Sequence, residues 1–363
     1  MFEIIFLCVV CIYFIQSVLF SIGASRKYPR IADSELPSVT VVVAALDEEH
    51  NILRCMKALD ASIYPEGKLE IILVDGHSID KTAEIISGYI KDKPKFKLIY
   101  TKQETENLKG KANSIDTAVE IAKGDIILTT DADCAVSPLW VKTIASYYKE
   151  DVGMVNGYTS QEANDGFSGM QALDFIYLLT VAAGAINLGK PLSCIGNNMS
   201  YRRAAYLETG GYKKIPFSVT EDFQLLMAIY NLKKYKIIYP LDKDALVISE
   251  PNPTLKSLYH QKKRWAVGGL NSDIAGFAVM GSGFLSHIGM LLLPFFFSPV
   301  SLYLALFKIC VDLFFLYPVL MRLGLKDKLR YFLQFEIYFI GYVTALPFII
   351  LASRKVVWKR REY

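Results

Sequence analysis

The sequence lacks a marked excess of charge of either sign. Its 40 basic and 36 acidic residues leave a net charge of +4 over 363 residues, which argues against a polybasic domain that grips nucleic acid. Paired cysteine spacings typical of metal sites are also missing from the six cysteines. Cys8 and Cys11 form a C-x-x-C only inside an apolar run, where they are interpreted as lipid-facing. This cysteine usage fits a reducing compartment for the soluble part.

The N-terminus lacks the basic residues that open a cleavable signal peptide. An uncharged run from Ile4 to Ile22 comes first, and the basic flank follows it at Arg26, Lys27 and Arg30. At 1.5 Å per residue this run can cross the hydrocarbon core as a helix. We therefore predict that residues 1–25 form a transmembrane helix, with its N-terminus outside and the following chain in the cytosol. The hydrophobic fraction of 52% agrees with a chain that lies partly in lipid.

Short β-branched runs alternate with segments of helical spacing from Val39 to about Tyr158. The runs are VTVVVAA, LEIILV, FKLIY, DIILTT and VGMVNGY. Two intervening segments, Glu48–Asp60 and Asp80–Ile90, place apolar residues on one helical face. This alternation predicts an α/β fold in which helices cover a mixed, mostly parallel sheet. We assign it to one cytosolic domain over residues 37–270.

The chain becomes apolar again after Asp273, and residues 271–353 are long enough for about three membrane segments. Three full crossings from the cytosol would leave the basic tail, residues 354–363, outside, against the positive-inside tendency. One segment is therefore expected to be re-entrant or interfacial. Lys308 and Asp312 are four residues apart within this block, where they either neutralise each other or line a polar path.

A further stretch, residues 165–190, is apolar in its middle but polar at its ends. It is too short for a confident span. An acceptor-side or interfacial helix and plain core packing remain as alternatives.

Two carboxylates, Asp131 and Asp133, directly follow the strand DIILTT. The carboxyl edge of an open α/β sheet is where ligands bind. Oxygen ligands suit Mg²⁺ or Mn²⁺, which take one or two protein carboxylates together with water and phosphate oxygens. A solvated acidic turn explains D-x-D equally simply, so the motif needs support from other residues.

Three other turns supply candidate ligand groups. Asp75 ends the strand LEIILV and can accept hydrogen bonds from a nucleotide, or from the amides of its own turn. Ala45 and Glu48 follow the first strand, where a small residue permits close approach and an acid can also cap a helix. Lys111 begins a helix after a glycine, which suits phosphate binding or a solvated turn.

Together these segments resemble the family 2 glycosyltransferases, from about Val39 to Leu270. The matching pieces, in the family's order, are VTVVVAALDEEHNI, EIILVDGHSIDKT, KGKANSI, TTDADC, GNNMSYRRAAYLETGGY, TEDFQL and QKKRW. The resemblance implies a GT-A fold that binds a nucleotide-sugar donor.

The resemblance also implies roles for single residues. Ala45, Glu48 and Asp75 would hold a uridine-type nucleotide. Asp131 and Asp133 would lie at the diphosphate and the metal. Asp222, in Thr220-Glu221-Asp222, would be the catalytic base.

Gln261-Lys262-Lys263-Arg264-Trp265 resembles the Q-x-x-R-W signature of the membrane-integrated members, such as the cellulose, hyaluronan and poly-N-acetylglucosamine synthases and ceramide glucosyltransferase. The guanidinium of Arg264 can form bidentate hydrogen bonds to a diphosphate, and the indole ring of Trp265 offers a flat apolar face to an acceptor sugar. A juxtamembrane basic and aromatic belt explains the lysines and Trp265 but not Gln261.

The sequence therefore predicts an integral membrane enzyme of the plasma or inner membrane, with inverting transfer from a UDP-sugar to a glycan acceptor. The alternatives are a single transfer of a sugar to a lipid acceptor, namely a sphingolipid or a polyprenyl phosphate, and a non-catalytic membrane scaffold. Gly76 stands where the family often has a second acid, which weakens the donor prediction. The membrane part is shorter than in the cellulose synthases, so processivity stays open.

Overall fold

The computed structural model describes residues 1–358, 361 and 362, which group into two compact units. We call them the sheet unit, residues 26–160 and 193–250, and the helical unit, which comprises residues 1–25, 161–192 and the chain from Pro251 onward. Residues 161–192 and 251–270 group with the apolar helices, and the single domain over residues 37–270 stays a prediction. Of the predicted basic tail, Lys359, Arg360 and Tyr363 lie outside the described residues.

The elements are numbered in chain order. The strands are β1 (Val39–Ala45), β2 (Leu69–Asp75), β3 (Phe96–Tyr100), β4 (Ile126–Asp131), β5 (Cys134–Val136), β6 (Val152–Asn156), β7 (Thr159–Gln161), β8 (Met199–Arg202), β9 (Lys236–Ile238), β10 (Val247–Ser249), β11 (Val357–Trp358) and β12 (Arg361–Glu362). The helices are α1 (Phe2–Ala24), α2 (Ile52–Asp60), α3 (Thr82–Ile90), α4 (Gly110–Ile121), α5 (Trp140–Ser146), α6 (Gly166–Asn187), α7 (Arg203–Glu208), α8 (Glu221–Asn231), α9 (Leu255–Gly269), α10 (Ile274–Leu292), α11 (Pro299–Leu323) and α12 (Phe332–Ala352). Short 3-10 turns occupy Asp33–Glu35, Lys243–Ala245 and Lys326–Tyr331.

The sheet unit is built on seven strands in the order β3-β2-β1-β4-β8-β6-β9. The first four are parallel, whereas β8 runs antiparallel to both β4 and β6. The central strands are apolar along nearly their whole length because helices bury both faces of the sheet. The predicted mixed, mostly parallel sheet is confirmed. A second sheet has the order β5-β10-β7.

In the core of the sheet unit, the buried side chains of Trp140 and Asn198 form a hydrogen-bonded pair. The indole Nε1 of Trp140 donates to Asn198 Oδ1 at 3.0 Å. Asn198 Nδ2 in turn donates to the carbonyl oxygens of Tyr158 and Ala245, at 2.7 and 2.9 Å. Since buried amides need partners, the side chain of Asn198 is fully used in holding this core together.

Within its described residues, the helical unit contains five helices that are long and apolar enough to cross a membrane, namely α1, α6, α10, α11 and α12. Of these, α6 differs because 83% of its most apolar stretch is buried within the structure. A helix that faces other helices in this way can carry small and polar residues. The sequence suggested an interfacial or core helix here, and α6 is a largely buried helix of 22 residues.

Glycines allow α1 and α6 to approach closely. A side chain at Gly23 would collide with the backbone of Gly184, and one at Gly184 would collide with Phe20. The side-chain amide of Asn187 also donates to the carbonyl oxygen of Gly23 at 2.9 Å. Small residues of this kind permit backbone packing between helices in an apolar environment.

Candidate functional site

The carboxyl ends of three neighbouring strands bring predicted site residues to one edge of the sheet. In the parallel register Ala45 pairs with Asp75, and Ala44 pairs with Asp131. Asp75, Ala45 and Asp131 therefore lie side by side on β2, β1 and β4. This edge is the part of an open α/β sheet that binds ligands.

Asp131 and Asp133 flank the tight turn from β4 to β5, and both are half-buried. Two side chains of α2 donate hydrogen bonds to the backbone of this turn. Cys55 Sγ donates to the carbonyl oxygen of Asp131 at 3.5 Å, and Arg54 Nη1 donates to that of Asp133 at 3.2 Å. Arg54 is itself paired with Glu250 at 2.6 Å. Burial, with the nearby Asp133 and Asp131 carboxylates, raises the pKa of Cys55, so this residue stays a neutral thiol.

Lys111 reaches the same edge from the first turn of α4. Its ammonium forms an ion pair with Asp131 and lies 4.0 Å from Glu221 Oε1. Burial alone would lower the pKa of Lys111, but the charges of Asp131, Glu221 and Asp222 outweigh it and hold the pKa above its usual value. Lys111 is therefore a permanent cation at neutral pH.

Asp222 lies in the first turn of α8, where the helix N-terminus favours negative charge. Its Oδ1 accepts a hydrogen bond of 2.8 Å from the amide of Phe223. A Cβ added at Gly196 would lie 3.2 Å from Lys111 Nζ and 3.3 Å from Asp222 Oδ2. Both groups thus border the same glycine, and the structure brings Asp131, Lys111 and Asp222 into one neighbourhood.

The side chains of Asp75 and Glu48 are engaged within their own turns. Asp75 accepts hydrogen bonds from the Ser78 hydroxyl at 2.6 Å and the Ser78 amide at 3.1 Å. Glu48 Oε2 accepts from Asn51 at 2.8 Å. The preceding Asp47 has a positive φ of 52°, and its carboxylate accepts from the Ile79 amide at 3.0 Å. These bonds link the turns after β1 and β2, and the nucleotide roles of Ala45, Glu48 and Asp75 stay predictions.

Gln261, Arg264 and Trp265 belong to the helical unit rather than the sheet unit. They lie three and four residues apart on α9, a spacing that puts them on one helical face. All three are half-buried.

Lys262, a residue inside the predicted Q-x-x-R-W signature, connects α9 to neighbouring helices. Lys262 is buried, forms an ion pair with Asp174 of α6, and lies 4.4 Å from the centre of the Trp265 ring. Asp174 also accepts a hydrogen bond of 2.6 Å from Tyr342 of α12. Phe175 packs on Trp265 with ring centres 5.2 Å apart. Lys262 has no distinctive sequence signal, because it is one of two adjacent lysines.

The donor set at Asp131 and Asp133 fits a hard divalent cation. Both residues offer carboxylate oxygens only, at a half-buried edge beside a permanent cation. Within the described residues no group of three or more His, Cys, Asp or Glu side chains is arranged to hold a metal. Mg²⁺ and Mn²⁺ prefer one or two protein carboxylates, with water and phosphate oxygens in the other positions.

Two family models match the sequence. The model described as "Glycosyl transferase family 2" matches residues 40–210, and the one described as "Glycosyl transferase family group 2" matches residues 126–351. The second match continues beyond the sheet unit through α9, α10, α11 and all but the last residue of α12.

Curated relatives include enzymes of two kinds. The β-monoglucosyldiacylglycerol synthase of a Nostoc species is 29% identical over 254 residues, which are 67% of this chain and 51% of the relative. The poly-β-1,6-N-acetyl-D-glucosamine synthase of Staphylococcus aureus is 26% identical over 321 residues, 86% of this chain and 70% of the relative. The chain spans about half the length of the first of these relatives.

A solved structure with a similar fold is that of a mannosyltransferase from Pyrobaculum calidifontis in complex with GDP-Man and Mn²⁺. The TM-score is 0.58 at 16% sequence identity, covering 94% of this chain and 99% of the other. This similarity supports the predicted GT-A fold.

Proposed function

The chain belongs to the family 2 glycosyltransferases, and from that premise we propose that it transfers a sugar from a UDP-sugar to a glycan acceptor at the membrane, with inversion at the anomeric carbon. The observation that carries the proposal is the convergence of Asp131, Lys111, Glu221 and Asp222 at the carboxyl edge of the sheet. A negative base beside a fixed cation suits a reaction that removes a proton from one group and releases a phosphate from another.

The donor would bind along the edge formed by β2, β1 and β4. Ala45, Glu48 and Asp75 would contact the nucleoside, and Lys111 would neutralise part of the diphosphate charge. Mg²⁺ or Mn²⁺ held by Asp131 and Asp133 would supply further positive charge for the leaving diphosphate. Arg264 is proposed to contact the diphosphate, with Gln261 alongside, and Trp265 to present its ring to the acceptor sugar.

Asp222 would act as the general base. Its carboxylate takes the proton of an acceptor hydroxyl as that oxygen attacks the anomeric carbon, while the bond from that carbon to the diphosphate breaks. The new glycosidic bond then has the opposite configuration to the bond in the donor. Lys111, cationic throughout, stabilises the charge that develops on the departing nucleotide.

A glycan acceptor is favoured by the extent of the similarity to the poly-β-1,6-N-acetyl-D-glucosamine synthase, which reaches 86% of this chain. The second candidate is a single transfer to a lipid, and the relative named β-monoglucosyldiacylglycerol synthase favours it. Both candidates need an acceptor near lipid, and the five apolar helices suit that location. We propose that these helices anchor the enzyme in the plasma or inner membrane, with the sheet unit in the cytosol.

The test is release of UDP from a panel of UDP-sugars by the detergent-solubilised protein, with Mn²⁺ or Mg²⁺ and a membrane extract as acceptor. One sugar should give metal-dependent turnover that Asp133→Ala and Asp222→Asn both lose. Asp151→Asn serves as the matched control, because Asp151 is a surface carboxylate paired with Lys236. A product ladder on sizing supports the glycan acceptor, and one labelled lipid supports the alternative. Absence of turnover with every donor, or full turnover by Asp222→Asn, would contradict the proposal.

A further inference from the structure

Three charged side chains are buried together in the helical unit. Lys308 and Asp312 lie one turn apart on α11, and Glu336 faces them from α12. Lys308 Nζ is 2.6 Å from Asp312 Oδ2 and 3.2 Å from Glu336 Oε2, so one ammonium is shared by two carboxyl groups. Exposure is 0% for Lys308 and Asp312 and 3% for Glu336. Charges this deeply buried among apolar helices are rare and costly, and they commonly mark a functional site.

The surrounding polar groups do not add a second positive charge. Tyr13 of α1 donates its hydroxyl hydrogen to Asp312 Oδ1 at 2.5 Å and lies 2.5 Å from the Tyr177 hydroxyl of α6. His287 of α10 has Nδ1 at 2.6 Å from the carbonyl oxygen of Gly283. A carbonyl only accepts, so Nδ1 carries the hydrogen. Nε2 has no hydrogen-bond partner in the described part of the chain, which fits a neutral imidazole.

The charges of this cluster do not balance if both carboxyl groups are ionised. One ammonium against two carboxylates leaves a net charge of −1 in an apolar environment, where an uncompensated charge costs several kcal/mol. One bound proton restores neutrality.

The proton belongs on Glu336, because the two carboxyl groups are not equally solvated. Asp312 receives a hydroxyl hydrogen from Tyr13 as well as the short ion pair. Glu336 accepts a hydrogen bond from Lys308 at the longer distance of 3.2 Å and also lies against the Asp312 carboxyl, while no described group donates to its Oε1. An oxygen that carries its own hydrogen needs no donor.

We propose that the Lys308, Asp312 and Glu336 cluster is a proton-binding site, in which Glu336 is held as a neutral carboxylic acid at neutral pH. The bound proton lets α11 and α12 share one ammonium without burying a net charge. Tyr13 and Tyr177 extend the same hydrogen-bonded network to α1 and α6. The site lies wholly in the helical unit and is independent of the transferase proposal.

Infrared difference spectroscopy of the purified full chain in detergent tests the proposal, because the C=O stretch of a carboxylic acid is distinct from that of a carboxylate. The difference between the protein and its Glu336→Gln variant should contain one acid band. Asp312→Asn should also lose this band although Glu336 is intact, since Glu336 then becomes the single counter-ion of Lys308 and ionises. Lys308→Met should gain a second acid band, because neither carboxyl group then has a cation.

Asp33→Asn is the control, since Asp33 has a side chain 71% exposed and should leave the acid bands unchanged. A difference spectrum between the protein and Glu336→Gln without an acid band would overturn the proposal. If Lys308→Met does not fold, the two acid variants still decide the question. Glu336→Gln should also keep the thermal unfolding midpoint nearly unchanged, because a neutral amide replaces a neutral acid. An equal loss of stability in Glu336→Gln and Asp312→Asn would contradict it.

Discussion

At the scale of single residues, Lys111 joins the two carboxylates to which different roles are proposed. It forms an ion pair with Asp131, a proposed metal ligand, and borders Gly196 opposite Asp222, the proposed base. Before a donor binds, its charge would compete with a divalent cation for Asp131. After binding, the same charge would favour the diphosphate.

Replacing Lys111 should therefore change metal binding and turnover in opposite directions. In Lys111→Met we expect Mn²⁺ to bind more tightly in the absence of donor, because the competing cation is gone. UDP release should fall by a factor of ten or more, on the order of 1.4 kcal/mol of lost transition-state stabilisation. Mn²⁺ titration by electron paramagnetic resonance and steady-state UDP release measure the two effects. The exposed Lys91→Met should change neither, and weaker Mn²⁺ binding in Lys111→Met would refute the expectation.

The sequence motifs pointed to the charged groups of this site more readily than to the residues that hold those groups in position. Asp131, Lys111 and Asp222 occur at strand or helix ends, where topology gathers them on one edge. Arg54 holds the backbone of Asp133 from the first turn of α2, a position with no local signal. The side chain of Asn198, in the family-like segment GNNMSYRRAAYLETGGY, bonds to Trp140 inside the core. Only tertiary packing distinguishes such a core amide from one that faces a ligand.

At the scale of elements, Asp60 ties the end of α2 to the segment before β3. It pairs with Lys93 and also with Lys95, at 2.9 Å, and accepts from Tyr89 of α3 at 3.1 Å. Burial raises the pKa of Asp60, but the hydrogen bonds from Lys93, Lys95 and Tyr89 outweigh it and bring the pKa to about 2.

This depressed pKa predicts how the stability of the sheet unit depends on pH. The contribution of Asp60 is fully present above its unfolded value, near 4, and is lost as the pH falls toward 2. Asp60→Asn should therefore lower the unfolding midpoint at pH 6 and have progressively less effect between about pH 4 and pH 2. Thermal unfolding followed by circular dichroism, with Asp92→Asn as a nearby exposed control, measures this. A constant difference at every pH would contradict the ion-pair explanation.

The pair of Lys262 and Asp174 joins α9 to α6 and should behave as a buried ion pair. Asp174→Leu leaves a buried ammonium unpaired, which costs about 3–5 kcal/mol. Adding Lys262→Met should recover most of that loss, because the double variant buries no charge. Thermal unfolding in detergent of the single and double variants measures the coupling.

The exposed pair of Asp151 and Lys236 supplies the comparison for that cycle. Asp151→Leu should cost less than about 1 kcal/mol, since exposed ion pairs contribute little. A double variant at Lys262 and Asp174 no more stable than the single one would mean that packing, rather than charge, holds α9.

Element boundaries were predictable where one pattern dominated. The strands β1, β2, β3 and β4 agree with the β-branched runs to within one residue. The helix expected from Glu48 begins instead at Ile52. Asp47 has a left-handed backbone, and the backbone amide of Glu48 donates a hydrogen bond to the Thr82 hydroxyl. The polar ends of α6 suggested a helix that does not span the membrane. Hydropathy indicates the surroundings of a helix only when the helix faces lipid, whereas α6 is largely buried within the structure.

At the scale of the whole molecule, the five apolar helices predict firm membrane association. The chain should stay in the pellet after an alkaline carbonate wash and enter solution only with detergent, because burying such helices in lipid is strongly favourable. Western blotting of both fractions measures this. Release by carbonate would show that the helices pack against protein alone.

Orientation can be tested on the same membranes. The basic flank after α1 predicts that the sheet unit faces the cytosol. A cysteine introduced at the exposed Lys91 should react with a membrane-impermeant maleimide only after permeabilisation, measured relative to the unsubstituted chain. Equal labelling of intact and permeabilised cells would reverse the predicted orientation.

The division into two units was beyond the reach of sequence patterns. Motifs follow one another along the chain, and they suggested one domain from residue 37 to 270. In the structure α6 and α9 group with the apolar helices, and the single domain stays a prediction. Their partners, such as Lys262 and Asp174, are separated by 88 residues, a distance over which periodicity carries no information.

This interleaving sets an order for biosynthesis. Tyr13 hydrogen-bonds to Asp312, a partner 299 residues later in the chain. At roughly 5–20 residues per second of translation, α1 waits between about a quarter of a minute and a minute for α11. The sheet unit, by contrast, has all its residues once Glu250 has been added. On ribosomes stalled between α9 and α11, all residues of the sheet unit have therefore been synthesised. The Tyr13 hydroxyl of α1 still lacks its partner Asp312 at that stage.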